Sequence, residues 1–343
     1  MVFIIGNGFD IALGLKTSYR DFLKWYLSQS TIKDEPIIVK FKEEIRNDID
    51  KDIRSWADLE MKLGDYICKY DLHQIKEYEF AYRDIKEKLN RYIKMQERKV
   101  KYDTIGTEIS EQVKKFFGEF HDYFPPQTRL ELINSIYPRI GSMTYNFINF
   151  NYTQTLAECL AQGGDTLKYR THNRDVVDKI VHIHGQIDNN LLLGVDNESQ
   201  INNDIFRNDL AIKRLLLKPL LNESSKYGTA DEVRRIISNS NTVCLFGLSL
   251  GGSDLSWWVY IGKWLKTSEQ KKLIVFWYEY EDAHRLNLHG DIRLALEDKV
   301  IMHFTKQAGF SEDDIDKHKS KIYVHIHNEI FSKKIFSRKK TTS

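Results

Sequence analysis

The chain has 343 residues, 41% hydrophobic and 12% aromatic, which suits one large α/β domain with an insertion or two modest domains, and gives ample material for a core. Its 51 basic and 49 acidic residues leave a net charge of +2, so no overall field draws in nucleic acid. No stretch approaches the ~20 apolar residues of a membrane span, and Cys68, Cys159 and Cys244, widely spaced and outside any CxxC pair, point to reduced thiols in a cytoplasm.

Val2-Phe3-Ile4-Ile5 is too short and too β-rich for a helix and reads as a fully buried strand. A start on a core strand leads us to expect no signal peptide. Gly6-Asn7-Gly8 then dictates a tight turn that another group can approach closely. From Phe9 onward, Phe9, Leu13, Leu15 and Phe22 recur at helical spacing. A strand, a glycine turn and a helix form the unit that directs backbone N–H groups at a phosphate. The dehydrogenase fingerprint is absent, because Ile11 stands where its third glycine belongs, and there is no P-loop. A ligand-free β–α turn is the plain alternative.

From Ser30 to about Tyr137 the composition shifts to Lys, Glu, Asp and Tyr. Apolar stripes at Leu59, Leu63, Tyr66 and Ile67, and at Ile85, Leu89, Tyr92 and Ile93, predict three or four helices inserted between strands. Met95–Asp103 reads as a charged exposed corner, and Pro125, Pro126 and Pro138 mark the exit. Within this stretch, Trp56-Ala57-Asp58-Leu59-Glu60 reads most simply as a helix start with Trp56 anchored and Glu60 in solvent.

From Tyr145 the pattern returns to α/β. Asn149-Phe150-Asn151-Tyr152-Thr153 ends an apolar stretch and opens a helix through Leu156, Cys159 and Leu160, with Thr153 placed to cap it. Strands are expected at Lys179–Gly185, Leu191–Val195, Thr242–Phe246, Lys272–Tyr278 and Val300–Phe304. Residues 196–240 read as largely helical, with a stripe at Leu210, Lys213, Arg214, Leu217 and Leu220, and an aromatic helix runs through Trp257, Trp258, Ile261 and Trp264. This alternation predicts a parallel, doubly wound sheet. Lys333–Ser343 is a basic tail without periodicity.

Three constellations carry chemistry. His182 and His184, two apart on a strand, share a face as some metal sites require. They lack a third ligand at useful spacing, so no metal is expected. Gly247-Leu248-Ser249-Leu250-Gly251 fits the nucleophile-elbow pattern between a strand and a helix, with Asp282 and His303 following in hydrolase order. The third constellation combines the opening glycines with Asn151, His184 and the Gly247–Asp254 turn, all at expected strand ends, where open α/β sheets place ligands.

The Phe246–Asp254 turn resembles the cofactor-contacting Gly-x-Ser turn of sirtuin-like enzymes, and the opening GNGFDIALGLKTSYRDF, the Trp56–Glu60 motif and Phe150-Asn151-Tyr152-Thr153 resemble the bacterial AbiH family of phage abortive-infection proteins. That family is in turn similar to sirtuin-like NAD-cleaving defence enzymes: Gly6, Gly8 and Gly14 keep the sirtuin glycine spacing, and His184-Gly185 matches the sirtuin His-Gly. The sirtuin Pro-Asp-Phe-Arg run is replaced by Lys16–Arg20, Thr153 stands where sirtuins carry a second acid, and no CxxC zinc module exists.

The resemblance implies a Rossmann-like, sirtuin-like nucleotide-binding core over residues 1–30 and 140–330, a helical insertion over 31–139 and a tail over 331–343. It implies NAD+ as substrate, hydrolysed to nicotinamide and ADP-ribose. Asn151, His184 and Glu60 would be the catalytic set, and Gly6, Asn7, Gly8, Asp10, Gly14, Gly247, Ser249 and Asp254 the cofactor-binding set. A nucleotide sensor that binds NAD or ADP-ribose without catalysis, and a serine hydrolase using Ser249, are the alternatives. The setting expected is cytoplasmic, away from membranes; a phage-derived trigger and a homo-oligomer are left open.

Overall fold

The first apolar run forms β1 (Val2–Ile5), and all four residues are buried, as a strand covered on both faces requires. The computed structural model describes residues 1–29, 35–52, 56, 58–99, 107–137, 142–161, 166–170, 173–224, 228–279, 289–327 and 330–331. The Lys333–Ser343 tail, Pro138 and Asp282 therefore lie outside the described residues, as does part of the Met95–Asp103 corner. The remaining strands are β2 (Thr144–Asn149), β3 (Thr166–Arg170), β4 (Asn173–His182), β5 (Thr242–Phe246), β6 (Lys272–Tyr278) and β7 (Ile322–His327). They join β1 in one sheet of order β3-β4-β2-β1-β5-β6-β7. Six strands run parallel and β3 pairs antiparallel with β4 at the edge. The chain moves from β1 outward through β2 and β4, then returns to β5 on the other side of β1. That reversal is the topological switch of a doubly wound, Rossmann-like sheet, and it opens a crevice at the carboxyl ends of the strands.

Between β1 and β2 the described elements are helical: α1 (Gly8–Ala12), α2 (Tyr19–Ser28), α3 (Pro36–Lys51), α4 (Leu59–Tyr66), α5 (Ile75–Glu97), α6 (Thr107–Gly118) and α7 (Pro126–Ile136). They divide by partner. Phe22, Tyr26, Phe41, Leu63, Tyr82 and Leu89 from α2–α5 pack with one another and with Leu193 and Val195. Val113, Phe116 and Phe117 of α6 instead cover one face of the sheet, against Phe3, Phe147 and Phe246. The Phe3 and Phe117 rings meet edge to face with centroids 4.8 Å apart, a favoured aromatic geometry.

After β2 come α8 (Thr155–Ala161), α9 (Asp204–Arg207), α10 (Leu210–Leu216), α11 (Lys218–Ser224), α12 (Thr229–Ser238), α13 (Leu255–Lys266), α14 (Gly290–Gln307) and α15 (Glu312–His318). Val233, Ile237, Trp258, Ile261 and Phe304 from α12–α14 cover the second face over Val2, Ile4, Val243 and Leu245. Among the described residues no helix is long and apolar enough to cross a membrane.

Several expectations change. Val300–Phe304 lies inside α14: buried Val300 and Phe304 are four apart, a helical repeat, while Met302 is exposed. Leu191–Val195 is no strand but an extended segment with a single bridge, Val195 to Leu217. The first helix is broken into α1 and α2 by the turn at Gly14 (φ 94°), and Ser18 caps α2 by accepting from Asp21 N–H. The stripe over residues 210–220 is misphased, since Leu210 is exposed while Ile212 and Leu216 are buried. β7, with its VHIH run, and the edge strand β3 were not anticipated.

Candidate functional site

At the switch point, the loops after β1, β2, β4 and β5, together with Glu60 of α4, the end of β6 and α14, line a cavity of about 1220 Å³. Its wall brings together Gly6, Asn7, Gly8, Asp10, Glu60, Asn151, His184, Gly247, Ser249 and Asp254, ten of the expected site residues drawn from distant parts of the chain. Gly14 is not part of the wall.

The loops after β1 and β5 meet closely at their glycines. A Cβ on Gly6 would lie 2.4 Å from Gly247 O, and one on Gly8 would lie 2.5 Å from Gly247 Cα. Gly247, at φ 69°, has the left-handed conformation that glycine tolerates. The amides expected to face a diphosphate are engaged here: Gly6 N–H donates to Phe246 O and Gly8 N–H to Gly247 O, each at 2.8 Å. Asn7 turns its side chain to Thr17, donating from Nδ2 to Thr17 O at 3.0 Å. These glycines hold the β1 and β5 loops together.

A buried ionic cluster forms one wall. His184 Nε2 and Lys218 Nζ both reach Asp254 Oδ1 at 2.9 Å, and Lys218 Nζ reaches Glu60 Oε2 at 2.7 Å. Glu60 is 3% exposed. It therefore does not face solvent; α4, capped by Asp58 accepting from Met61 N–H, directs it inward. Burial raises the Glu60 pKa and Lys218 only partly offsets this. Burial would also raise Asp254, but the charges of Lys218 and His184 outweigh it and hold that carboxyl well below the usual range. For Lys218 the desolvation that would lower its pKa is overcome by the two carboxylates, so it stays protonated. Because a carboxylate only accepts, the His184–Asp254 contact puts a ring proton on Nε2 and leaves Nδ1 as the nitrogen not engaged by Asp254. The ring is packed edge-on to Phe150, centroids 4.8 Å apart.

A second polar group lies beside α1. The Thr153 hydroxyl donates to Asp10 Oδ2 at 2.7 Å. Asn151 Nδ2 donates to Gly6 O at 3.1 Å. Burial pushes the Asp10 pKa up to about 7, against the Thr153 hydrogen bond that lowers it.

His182 and His184 diverge despite their spacing. β4 ends at His182, whose Nδ1 lies 3.1 Å from Asn151 O, while His184 follows in the turn and faces Asp254. The elbow geometry is absent as well. The positive φ angles fall on Gly247 and Leu250 rather than on Ser249. His303 Nε2 lies 3.2 Å from the Ser249 carbonyl oxygen. A carbonyl accepts, so that nitrogen carries hydrogen and cannot take one from the Ser249 hydroxyl. A fluorophosphonate probe is accordingly expected to leave Ser249 unlabelled in peptide mass spectrometry; stoichiometric labelling there would restore the hydrolase.

Lys218 was missed from the sequence. The signal was Leu217-Lys218-Pro219: proline suits the first turn of a helix, so the stripe had to break there and start α11 at Lys218. Lys218 N–H then donates to Val195 O at 2.9 Å, which fixes the amine beside Glu60.

The family model described as bacteriophage abortive infection AbiH matches residues 2–278, a span containing every member of the cluster and of the Asp10 group. No curated protein matches the chain.

Proposed function

The chain belongs to the AbiH family of bacteriophage abortive-infection proteins, and from that premise we propose that its cavity binds NAD+ and hydrolyses it to nicotinamide and ADP-ribose. The observation that carries this reading is the oriented His184–Asp254 pair, completed by Lys218 and Glu60, with His184, Asp254 and Asn151 lining one cavity.

In this reading the bond between ribose C1′ and the nicotinamide nitrogen breaks, and its electron pair neutralises the pyridinium. A water oxygen bonds to C1′, and His184 Nδ1 takes the water's proton before releasing it to solvent. Asp254 keeps the ring oriented and stabilises the imidazolium, the role a buried carboxylate plays beside a catalytic histidine. The charge sum of Glu60, Asp254 and Lys218 is −1, so a proton gained by His184 brings the cluster to zero. Asn151, fixed by Gly6 O, orients the leaving group. The Ser249 side of the cavity remains for the rest of the nucleotide.

The test is nicotinamide release from NAD+ by the purified protein, followed by chromatography at neutral pH. Release at a rate well above the spontaneous one supports the reading. Saturable NAD+ binding without release would replace hydrolysis with sensing.

A further inference from the structure

Among the described residues the cavity wall carries five carboxyls, two lysines and no arginine. The carboxyls are Asp10, Asp58, Glu60, Asp254 and Glu279; the lysines, Lys299 and Lys306, both belong to α14. An anionic ligand therefore finds lysine countercharge on that helix alone. Lys299 and Lys306 are seven positions apart with His303 between them, so the three share one helix face. The two lysines start about 10 Å apart along the axis. His303 Nε2, 3.2 Å from Ser249 O, sets this face against the loop after β5. Neither lysine is neutralised. No acid stands three or four positions from either, so the helix supplies no partner. Lys266, Lys272, Lys319 and Lys321 make ion pairs in this part of the chain, and Lys299 and Lys306 make none among the described residues.

We propose that Lys299 and Lys306 form the diphosphate site of this cavity, so that a nucleotide lies with its phosphates along α14 and not on the glycine turn. This rests on the NAD+ reading and reverses the placement that the opening motif implies. The glycine turn is a weak rival for the phosphates. Its Gly6 and Gly8 N–H groups already donate to Phe246 O and Gly247 O, α1 is only five residues long, and the Asp10 carboxyl follows on it. Lysine binds phosphate as a point charge on a flexible stem, so two stems rising from one face can converge on a single diphosphate. α14 lies beyond residues 2–278, so the stripe is this chain's own feature and is not carried over by the family match.

The test is calorimetric binding of ADP and of adenosine to the whole chain. The two differ by the diphosphate alone, and neither has a nicotinamide bond to cleave. ADP is expected to bind at least about tenfold more tightly, the lower end of what a hydrogen bond to a charged group contributes. In the double variant Lys299→Met, Lys306→Met, ADP should fall to within about threefold of adenosine, whose own affinity should not change. Both lysines are exposed, so this variant keeps the fold. The control Lys40→Met, Lys263→Met removes the same charge from exposed positions outside the cavity wall and should keep the preference. Equal binding of ADP and adenosine by the unaltered protein, binding of neither, or an equal loss in the control overturns the proposal. So does a preference that survives without Lys299 and Lys306, which would return the phosphates to the glycine turn. Nicotinamide release with no lysine-dependent preference for ADP sinks only the diphosphate site, and that preference without release sinks only hydrolysis.

Discussion

His184→Ala is expected to lower nicotinamide release by about 10²–10⁴-fold, the usual cost of removing a general base. The variant should still bind NAD+ within a few-fold of the unaltered protein. The loops that shape the cavity are joined by backbone contacts among Gly6, Gly8 and Gly247, and none of these involves the imidazole. Asp254 keeps Lys218 as a partner, so the loss of His184 strands no carboxylate. Measuring turnover, binding and protection of cells from phage in the same variant separates two kinds of protein. Intact binding with turnover and protection both lost identifies catalysis as the effector step. Intact binding with protection retained means that occupancy of the cavity is what matters, and the hydrolytic role is then wrong.

Lys218→Met is expected to destabilise the fold by about 3–5 kcal/mol, the range for removing one partner of a buried ion pair. Lys218 is the cation between Glu60 and Asp254, and Met of similar length leaves those two carboxylates buried without it. The pH dependence follows from the direction of the Glu60 shift. Its folded pKa already lies above the ordinary range, and without the lysine it rises further above its unfolded value of ~4.3. A group of this kind binds its proton more tightly in the folded state. The deficit is therefore fullest above the raised pKa and shrinks as pH falls through it towards the unfolded value. Urea denaturation at pH 8 and pH 6 should show the gap to the unaltered protein narrowing at the lower pH. Adding Glu60→Gln to Lys218→Met should recover part of the loss. A gap under about 1 kcal/mol at pH 8 would show that water or relaxation screens the cluster.

The sheet was legible wherever a strand is buried on both faces, because runs such as Val2–Ile5 and Thr242–Phe246 allow little else. It was illegible where five residues had to decide between periods, and VIMHF at residues 300–304 was misread for that reason. The cavity could be read because its side chains follow strand ends that glycine and asparagine punctuate. Lys218 could not, since its position depends on a helix break and on an irregular segment, Leu191–Val195, that no local periodicity describes. Asp10 was visible as part of a motif, but its burial against Thr153 depends on two elements more than 140 positions apart.

The place of β1 in the sheet has a consequence for how the protein is made. β1 becomes an interior strand, with Val2 beside Asn146 on one side and Val243, far later in the chain, on the other. This apolar segment must wait for Val243 to be made before its second neighbour exists, and such long-range pairing makes for slow folding and prolonged exposure to aggregation and chaperones. The ionic cluster has the same schedule, since it draws on Glu60, His184, Lys218 and Asp254 and has no complete form in a shorter nascent chain. A cell that carries this defence protein thus holds unfinished copies that lack the assembled cluster, and the last segment to emerge with a member of it, around Asp254, sets when it can first form.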